Sequence, residues 1–331
     1  MTVFAFRDRD SLLAVRFAIS PAWETQAAVQ ALADGRARSY HRPWLARVRA
    51  DAARAGLAPL VAVLPRRGYV PDFLAPPPQA ARPDLAGQLA QVRATDPAQV
   101  SRELQWCRET VHSAHSSRLL ADLLTDPERG RDHLAALLHA AWTTLVAPSW
   151  TRIRALLERD IEERSRALAR RGLRGLDELH PKMRWTPDGL YLADGSDRTI
   201  EVSERGLLLM PSAYLWPHVA AITEQPWLPA VIYPAAGIAG LWQAPAPPPE
   251  ALARLFGRSR ALVLACLDQP MSTTALAAMT ALSPASVSAH LRTLRDAGLL
   301  SATRHGHEVL YHRTELGAAL LRAHRGQHDP R

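Results

Sequence analysis

The stretch LSPASVSAHLRTLRDAGLL, residues Leu282–Leu300, contains the clearest structural signal in the chain. Ser283 followed by Pro284 is typical of a helix N-cap with proline at the first helical position. Apolar residues then recur at the spacing of one helix face, which predicts a buried stripe of Val287, Leu291 and Leu294. Gly298 is a typical residue just beyond a helix end. We therefore predict a helix from Pro284 to Ala297.

Two further helices are predicted immediately before this one. The first begins at Glu250 and carries apolar residues as far as Leu267, with Gly257 as a weak point in its middle. The second occupies Met271–Met279, with Ser272 as a candidate N-cap. A four-residue turn joins it to the helix described above, so the order is helix, turn, helix.

The residues after Gly298 predict an antiparallel hairpin. Its strands are Ser301–Arg304 and His307–His312, and its turn is formed by His305 and Gly306. A helix-turn-helix followed by a β-hairpin is the winged-helix arrangement.

This arrangement predicts an interaction with double-stranded DNA. The major groove is about wide enough for one α-helix, so small polar residues on an exposed helix face can approach the base edges. The hairpin can follow the backbone or an adjacent groove. We expect the DNA-binding residues to be Ser272, Thr273, Ser283, Ser286, Ser288, Ala289, His290, Arg292, Arg304 and His307.

Individual roles within this set differ. We expect Ser288 and His290 to face base edges, and Arg304 to contact phosphate or the minor groove. A competing interpretation is that His290 packs inside the domain and caps a neighbouring helix.

The same stretch resembles the recognition helix of ArsR-type winged-helix repressors, whose pattern is roughly LSxxTVSxHLxxLxxAGLV. The chain departs from it at Ala289, where the family usually has a second histidine, and at Ser286, which stands for threonine. The resemblance covers Glu250–Arg313. It implies a sequence-specific transcriptional regulator, and because a two-fold protein reads a pseudo-palindromic operator, we expect a homodimeric repressor.

Composition and charge are consistent with this interpretation. The chain has 331 residues, of which 47% are apolar and 22% charged, as in a globular protein. The formal net charge of +8 favours an acidic partner, with nucleic acid first. Of the 40 lysine and arginine residues, all except Lys182 are arginine, and the chain has no asparagine. A GC-rich genome is therefore a competing explanation of the charge.

The sequence predicts two domains with an overall α+β fold. All nine tryptophans precede a Pro-rich stretch at 243–249, which we interpret as a linker. It separates a regulatory or dimerisation domain at 1–242 from the winged helix-turn-helix at 250–331. The first domain is predicted to be mainly helical to about residue 172 and β-rich over 183–242.

Local signals within the first domain place several elements. Ser20-Pro21 and Asp96-Pro97 are N-cap signals, and Pro148 predicts a break between two long helices. Short apolar runs between turn residues predict strands at Leu190–Ala193, Thr199–Val202, Leu207–Met210 and Ala230–Tyr233.

Three stretches of the first domain resemble an uncharacterised domain that precedes ArsR-type winged helices in regulators of high-GC bacteria. They are RFAISPAWE (Arg16–Glu24), LLLMPSAYLWP (Leu207–Pro217) and VIYPAAGIAGLW (Val231–Trp242). The resemblance implies an architecture but no known ligand. We expect this domain to mediate dimerisation, to sense a small-molecule effector, or both.

Other classes of protein lack sequence support. The chain has no GxGxxG, Walker, HExxH, GxSxG or CxxC motif, so we predict that it is not an enzyme. No signal peptide is recognisable, and prolines interrupt the longest uncharged stretch, Gln225–Pro249, so we expect a cytoplasmic protein without a membrane partner. Two alternatives remain: an enzyme or small-molecule-binding protein that the winged helix only localises, and a protein–protein adaptor.

The cysteines do not predict a metal sensor. Cys107 and Cys266 are far apart, and one thiolate cannot hold a soft metal tightly without converging ligands. We expect Cys266 to be a small buried apolar residue. The alternatives are two histidine groups, His305 with His307 and His312, and His324 with His328. We expect no metal site and no cofactor.

Metal removal should therefore leave DNA binding unchanged. We predict that a chelator or added zinc alters the DNA affinity by less than about threefold, or about 0.7 kcal/mol. Fluorescence anisotropy with a labelled duplex measures this affinity. A response of tenfold or more would contradict the prediction and favour a histidine site.

Overall fold

The computed structural model describes residues 1–6, 15–33, 41–65, 68–81, 83–111, 113–177, 179–186, 189–202, 206–242, 248–267, 270–280, 282–305 and 308–325. The chain divides into two compact units, Met1–Trp242 and Gln243–Arg331. Most of the predicted Pro-rich linker lies outside the described residues.

Helices make up most of the first unit. Within its described residues they are α1 (Pro21–Ala33), α2 (Arg42–Arg54), α3 (Ala58–Val63), α4 (Leu85–Arg93), α5 (Pro97–Thr110), α6 (Ala114–Thr125), α7 (Pro127–Ala141) and α8 (Trp150–Arg171). The two N-cap predictions are confirmed. The Ser20 hydroxyl accepts a hydrogen bond from the backbone N–H of Trp23 at 3.0 Å. The Asp96 carboxylate accepts one from the backbone N–H of Ala98 at 2.7 Å.

The predicted break at Pro148 is also confirmed. A π turn at Trp142–Val146 and a 3₁₀ turn at Ala147–Ser149 separate α7 from α8. Proline has no N–H to donate to the preceding turn, so the regular helix cannot continue there. The indole N–H of Trp44 donates instead to the Leu145 carbonyl at 2.9 Å, which ties α2 to the break.

Two four-stranded sheets complete the first unit. Their strands are β1 (Thr2–Phe6), β2 (Val15–Phe17), β3 (Met183–Thr186), β4 (Gly189–Leu192), β5 (Arg198–Val202), β6 (Leu207–Ser212), β7 (Ala220–Ile222) and β8 (Ala230–Pro234). One sheet has the order β3-β4-β1-β5 and the other β2-β6-β8-β7. β1 is antiparallel to β4 and parallel to β5, while β2, β6 and β8 are mutually parallel and β7 is antiparallel to β8.

The first unit is therefore α+β as predicted, but the sequence pattern does not predict β1, β2, β3 or β7. β1 lies in the middle of one sheet, where Phe4 pairs with Leu190 on one side and Ile200 on the other. Its partners are almost two hundred residues away in sequence. Such short strands depend on distant pairing, so a local pattern of apolar residues does not reveal them.

Buried carboxylates join the helices to the second sheet. Asp160 of α8 accepts hydrogen bonds from the Tyr233 hydroxyl at 2.8 Å and from the backbone N–H of Ala236 at 2.9 Å. Glu24 of α1 accepts one from the backbone N–H of Ala213 at 3.0 Å. Both side chains are about 1% exposed. The bonds to Ala236 and Ala213 satisfy backbone groups just beyond strands β8 and β6, and all three bonds fix a helix against the sheet.

The second unit contains five helices and three strands within its described residues. They are α9 (Glu250–Phe256), α10 (Arg258–Cys266), β9 (Met271–Ser272), α11 (Thr273–Thr280), α12 (Pro284–Asp296), β10 (Leu300–His305), β11 (Glu308–Arg313) and α13 (Glu315–Arg325). The strands form one sheet in the order β10-β11-β9.

Two details of the second unit differ from the sequence predictions. The single helix predicted after Glu250 is wrong, because Gly257 has φ +83° and separates α9 from α10. Glycine adopts that conformation at little cost, so it breaks the helix rather than loosening it. Met271, which was predicted to belong to the next helix, lies instead in strand β9, and the helix begins at Thr273. Ser272 directly precedes the first helical residue, which is the position predicted for the N-cap.

Burial raises the pKa of Glu24 to about 7, although its hydrogen bonds to Ser212 and Ala213 oppose the shift. Between pH 4.5 and 7 the folded chain keeps a proton that the unfolded chain releases. Stability therefore falls as pH rises through this interval. We predict that Glu24→Gln removes about 2–3 kcal/mol of the stability loss between about pH 5 and about pH 8.

Urea unfolding of both proteins at the two pH values measures this difference. Comparing pH dependences cancels any pH-independent effect of the amide. Glu109→Gln, at an exposed position of α5, is the matched control and should keep the wild-type dependence. An unchanged pH dependence in Glu24→Gln would contradict the assignment.

Candidate nucleic-acid interface

The rotation of α12 about its own axis is set by its buried stripe. Val287, Leu291 and Leu294 are at most 1% exposed, as the sequence predicted. The opposite face is exposed and consists of Ala285, Ser286, Ala289, Arg292, Thr293 and Asp296. Small side chains dominate this face and leave the helix slim enough to approach base edges.

Ser288 and His290 lie on the two flanks of α12, between the buried and the exposed face. Both side chains are half-buried. The base-contacting role expected for them therefore stays a prediction, as does the competing interpretation that His290 packs inside. Ser286, Ala289 and Arg292 are the predicted contacts that α12 brings together on its exposed face.

Both ends of α12 are capped by local sequence. The Ser283 hydroxyl accepts a hydrogen bond from the backbone N–H of Ser286 at 3.1 Å and donates to the Ser286 hydroxyl at 2.9 Å. At the other end Gly298 has φ +69°, its N–H donates to the Arg295 carbonyl, and the Leu299 N–H donates to the Leu294 carbonyl. This is a Schellman cap, which needs a residue in the left-handed region.

The hairpin after α12 forms the predicted wing. β10 and β11 pair in register, with Arg304 opposite Val309, and both side chains are exposed. β9 adds a third strand, since Ser272 pairs with Leu310. Ser272 and Thr273 are half-buried at the start of α11. Gly306 and His307 lie outside the described residues, so the predicted contact of His307 stays a prediction.

Residues that the sequence pattern did not single out fix the wing to α12. Thr314 follows β11, and its N–H donates to the Leu299 carbonyl at 3.1 Å while its hydroxyl donates to the Gly298 carbonyl at 2.7 Å. The same hydroxyl accepts from the backbone N–H of Gly317 at 3.2 Å and so caps α13. A β-carbon at Gly317 would lie 2.3 Å from the Leu299 carbonyl oxygen. A local sequence signal could have identified Thr314, because a threonine whose hydroxyl accepts from the N–H three residues later is a typical N-cap.

Charge on this surface is mainly positive. Arg292 and Arg295 of α12 and Arg304 of the wing are exposed. Arg295 lies 3.6 Å from Asp296, which partly neutralises it. Exposed guanidinium groups on a recognition helix and wing can bind phosphate oxygens or guanine edges.

Metal ligands do not converge in the part of the chain that the structure describes. No group of three His, Cys, Asp or Glu side chains there could hold a metal ion. Cys266 is buried, as predicted. His312 lies 2.8 Å from the Ser301 hydroxyl and forms a hydrogen bond with it. His307, His328 and the side chains of His305 and His324 lie outside the described part.

Arginines on α12 and on the wing should respond differently to substitution. Arg292→Ala is predicted to weaken binding to the preferred DNA by about 1–3 kcal/mol and to random DNA much less. Arg304→Ala should weaken binding to all sequences alike and reduce the log–log salt slope by about 0.9 for each phosphate that the arginine no longer neutralises. Arg295→Ala is the control, because the neighbouring Asp296 already partly neutralises the charge of that arginine.

Anisotropy titrations on both DNAs at several salt concentrations measure these effects. A uniform loss for Arg292→Ala together with a sequence-selective loss for Arg304→Ala would contradict the docking geometry. His290→Ala separates its two interpretations: base contact changes the preferred-to-random affinity ratio, whereas an internal role lowers the melting temperature and leaves that ratio intact.

Comparison with known proteins gives two family matches. The family described as "Family of unknown function (DUF5937)" matches residues 78–239. The family described as "Bacterial regulatory protein, arsR family" matches residues 258–302, from the start of α10 into β10. No curated protein and no solved structure matches the chain. The chain thus combines a DUF5937 domain with an ArsR-family helix-turn-helix domain, the DNA-binding module of a transcriptional regulator.

Proposed function

We propose that the protein is a homodimeric transcriptional repressor. Its winged helices would bind the two halves of a pseudo-palindromic operator, and its first unit would assemble the dimer, sense a small effector, or both. The exposed face of α12 supports sequence-specific DNA binding most directly. It is set by the buried Val287, Leu291 and Leu294, and the wing follows the helix in the chain.

The small size of one winged helix supports the proposal of a dimer. A single module of this kind buries about 600–1,000 Å² on DNA, which supports only modest affinity. Two copies related by a two-fold axis contact half-sites about one helical turn apart, and the second contact is then intramolecular. We propose that the unit formed by α1–α8 and both sheets carries the dimer contacts.

A cavity in the first unit supports effector sensing. Its volume of about 780 Å³ falls within the range of about 300–1,000 Å³ typical of small-molecule sites.

The described residues contain no helix that is both long and apolar enough to cross a membrane. Since the proposed target is chromosomal DNA, we place the protein in the cytoplasm.

Selection of DNA from a random library with the full-length protein tests the proposal. The selected DNA should contain two related half-sites in inverted orientation. A fragment comprising residues 250–331 should bind the same DNA more weakly, by tenfold or more, because it lacks the unit that joins two copies. Circular dichroism establishes that the fragment is folded, and sedimentation gives the stoichiometry of both proteins.

Equal affinity of the folded fragment and the full-length protein would contradict a dimerisation role for residues 1–242. Failure to enrich any DNA sequence would contradict the proposal that the protein is a sequence-specific transcriptional regulator. The remaining candidates would then be a small-molecule-binding protein or enzyme that the winged helix localises, and a protein–protein adaptor.

A further inference from the structure

The cavity of the first unit is lined by both apolar and polar residues. The apolar lining includes Pro76, Pro77, Pro78, Trp227 and Leu228. The polar lining includes Gln91, Gln99, Asp96 and Arg16. Because Arg16 and Asp96 carry opposite charges, the cavity has no net charge to attract an ion. A neutral ligand is favoured.

Trp227 presents its ring and not its N–H to the cavity. The indole N–H donates to Glu103 Oε1 at 2.7 Å, and Glu103 is fully buried. Glu103 also accepts from the backbone N–H of Phe73 at 2.8 Å, and burial raises the pKa of its carboxyl group against these hydrogen bonds. A ring whose polar atom is engaged offers only its π surface, which suits a flat aromatic partner.

Gln99 is held by the same carboxylate. Its side-chain N–H₂ donates to Glu103 Oε1 at 2.7 Å and to the Gln225 carbonyl at 3.3 Å. Both amide hydrogens are therefore engaged, and the amide oxygen is what the side chain can offer to a ligand. Toward a ligand, the Gln99 side chain can therefore act only as a hydrogen-bond acceptor.

Two further acceptors belong to residues that line the cavity. The Gln91 amide oxygen is buried and has no hydrogen-bond partner among the described residues. The Asp96 carboxylate accepts from the backbone N–H of Ala98 through one oxygen, and its charge favours further donors. The Gln99 and Asp96 acceptors thus favour a ligand that carries a hydrogen-bond donor.

We propose that this cavity binds an uncharged, planar aromatic molecule carrying a hydroxyl or amino group, that is, a phenol or an aromatic amine. Its ring would lie against Trp227 and the three prolines, and its donor would bond to the Gln99 amide oxygen. This inference rests on the proposed function in one respect, since the ligand would be the effector.

A pair of probes that differ only in the donor tests the ligand class. 2-Naphthol carries a hydroxyl group, whereas 2-methoxynaphthalene has the same ring system and no donor. Isothermal titration calorimetry with the full chain should show one saturable site that binds 2-naphthol at least tenfold more tightly. Equal affinities, or no saturable binding of 2-naphthol, would overturn the proposal.

Two substitutions locate the site. Ala94 lines the cavity and is exposed, so Ala94→Phe should fill the cavity without disturbing the core and weaken 2-naphthol binding by tenfold or more. Ala121→Phe, at an exposed position of α6 away from the cavity, is the matched control and should change binding by less than twofold. Equal effects of the two variants would overturn the location.

Gln99→Met tests the acceptor. It should bring the ratio of the two probe affinities close to one, a readout that a general loss of structure would not produce selectively. If this variant does not fold, the wild-type ratio and the Ala94→Phe comparison still decide the proposal.

Affinity for the library-selected DNA separates this inference from the proposed function. 2-Naphthol at saturation should change that affinity at least threefold in the wild type and not in Ala94→Phe. Selective DNA binding without 2-naphthol binding would overturn the ligand inference but leave the proposed regulatory function intact. Saturable 2-naphthol binding in a protein that selects no DNA would support the ligand site and overturn the proposed regulatory function. An unchanged DNA affinity at saturating 2-naphthol would overturn the effector role.

Discussion

The burial of three side chains on one face of α12 is the constraint on which the proposed function depends. Removing Val287, Leu291 and Leu294 from water contributes about 1.5–3 kcal/mol for each side chain. A turn of the helix by one residue would expose part of this stripe, so the core holds the rotation of the helix. The core of the domain therefore decides that Ala289 and Arg292, rather than His290 and Leu291, face outward.

In the first unit, buried polar groups hold helices in place against distant segments of the chain. Glu24, Glu103 and Asp160 each join a helix to a distant segment, and each has a pKa raised by burial. Removing one partner of such a group would leave a buried charge or acceptor without a partner, which is costly. Glu103 differs from the other two because it holds Trp227 and Gln99, both of which line the cavity. Glu103 therefore joins distant parts of the fold and also shapes the candidate effector site.

Sequence reasoning succeeded where structure is determined locally. Ser283, Pro284 and Gly298 define the two ends of α12 through bonds to residues at most five positions away, so a single sequence contains the information. It failed for β1 and β2, whose pairing partners lie almost two hundred residues further along the chain. The cavity was also beyond prediction: Glu103 and Trp227 are 124 positions apart, and nothing in either local sequence indicates that they meet.

Chemical interference on the selected DNA tests whether the exposed face of α12 contacts bases in the major groove. Dimethyl sulfate methylates guanine at N7, in the major groove, and adenine at N3, in the minor groove. We expect guanine methylation within each half-site to block binding, with the two clusters about 10 base pairs apart on one face of the duplex. Interference confined to adenine N3, or none at the guanines of either half-site, would contradict this expectation.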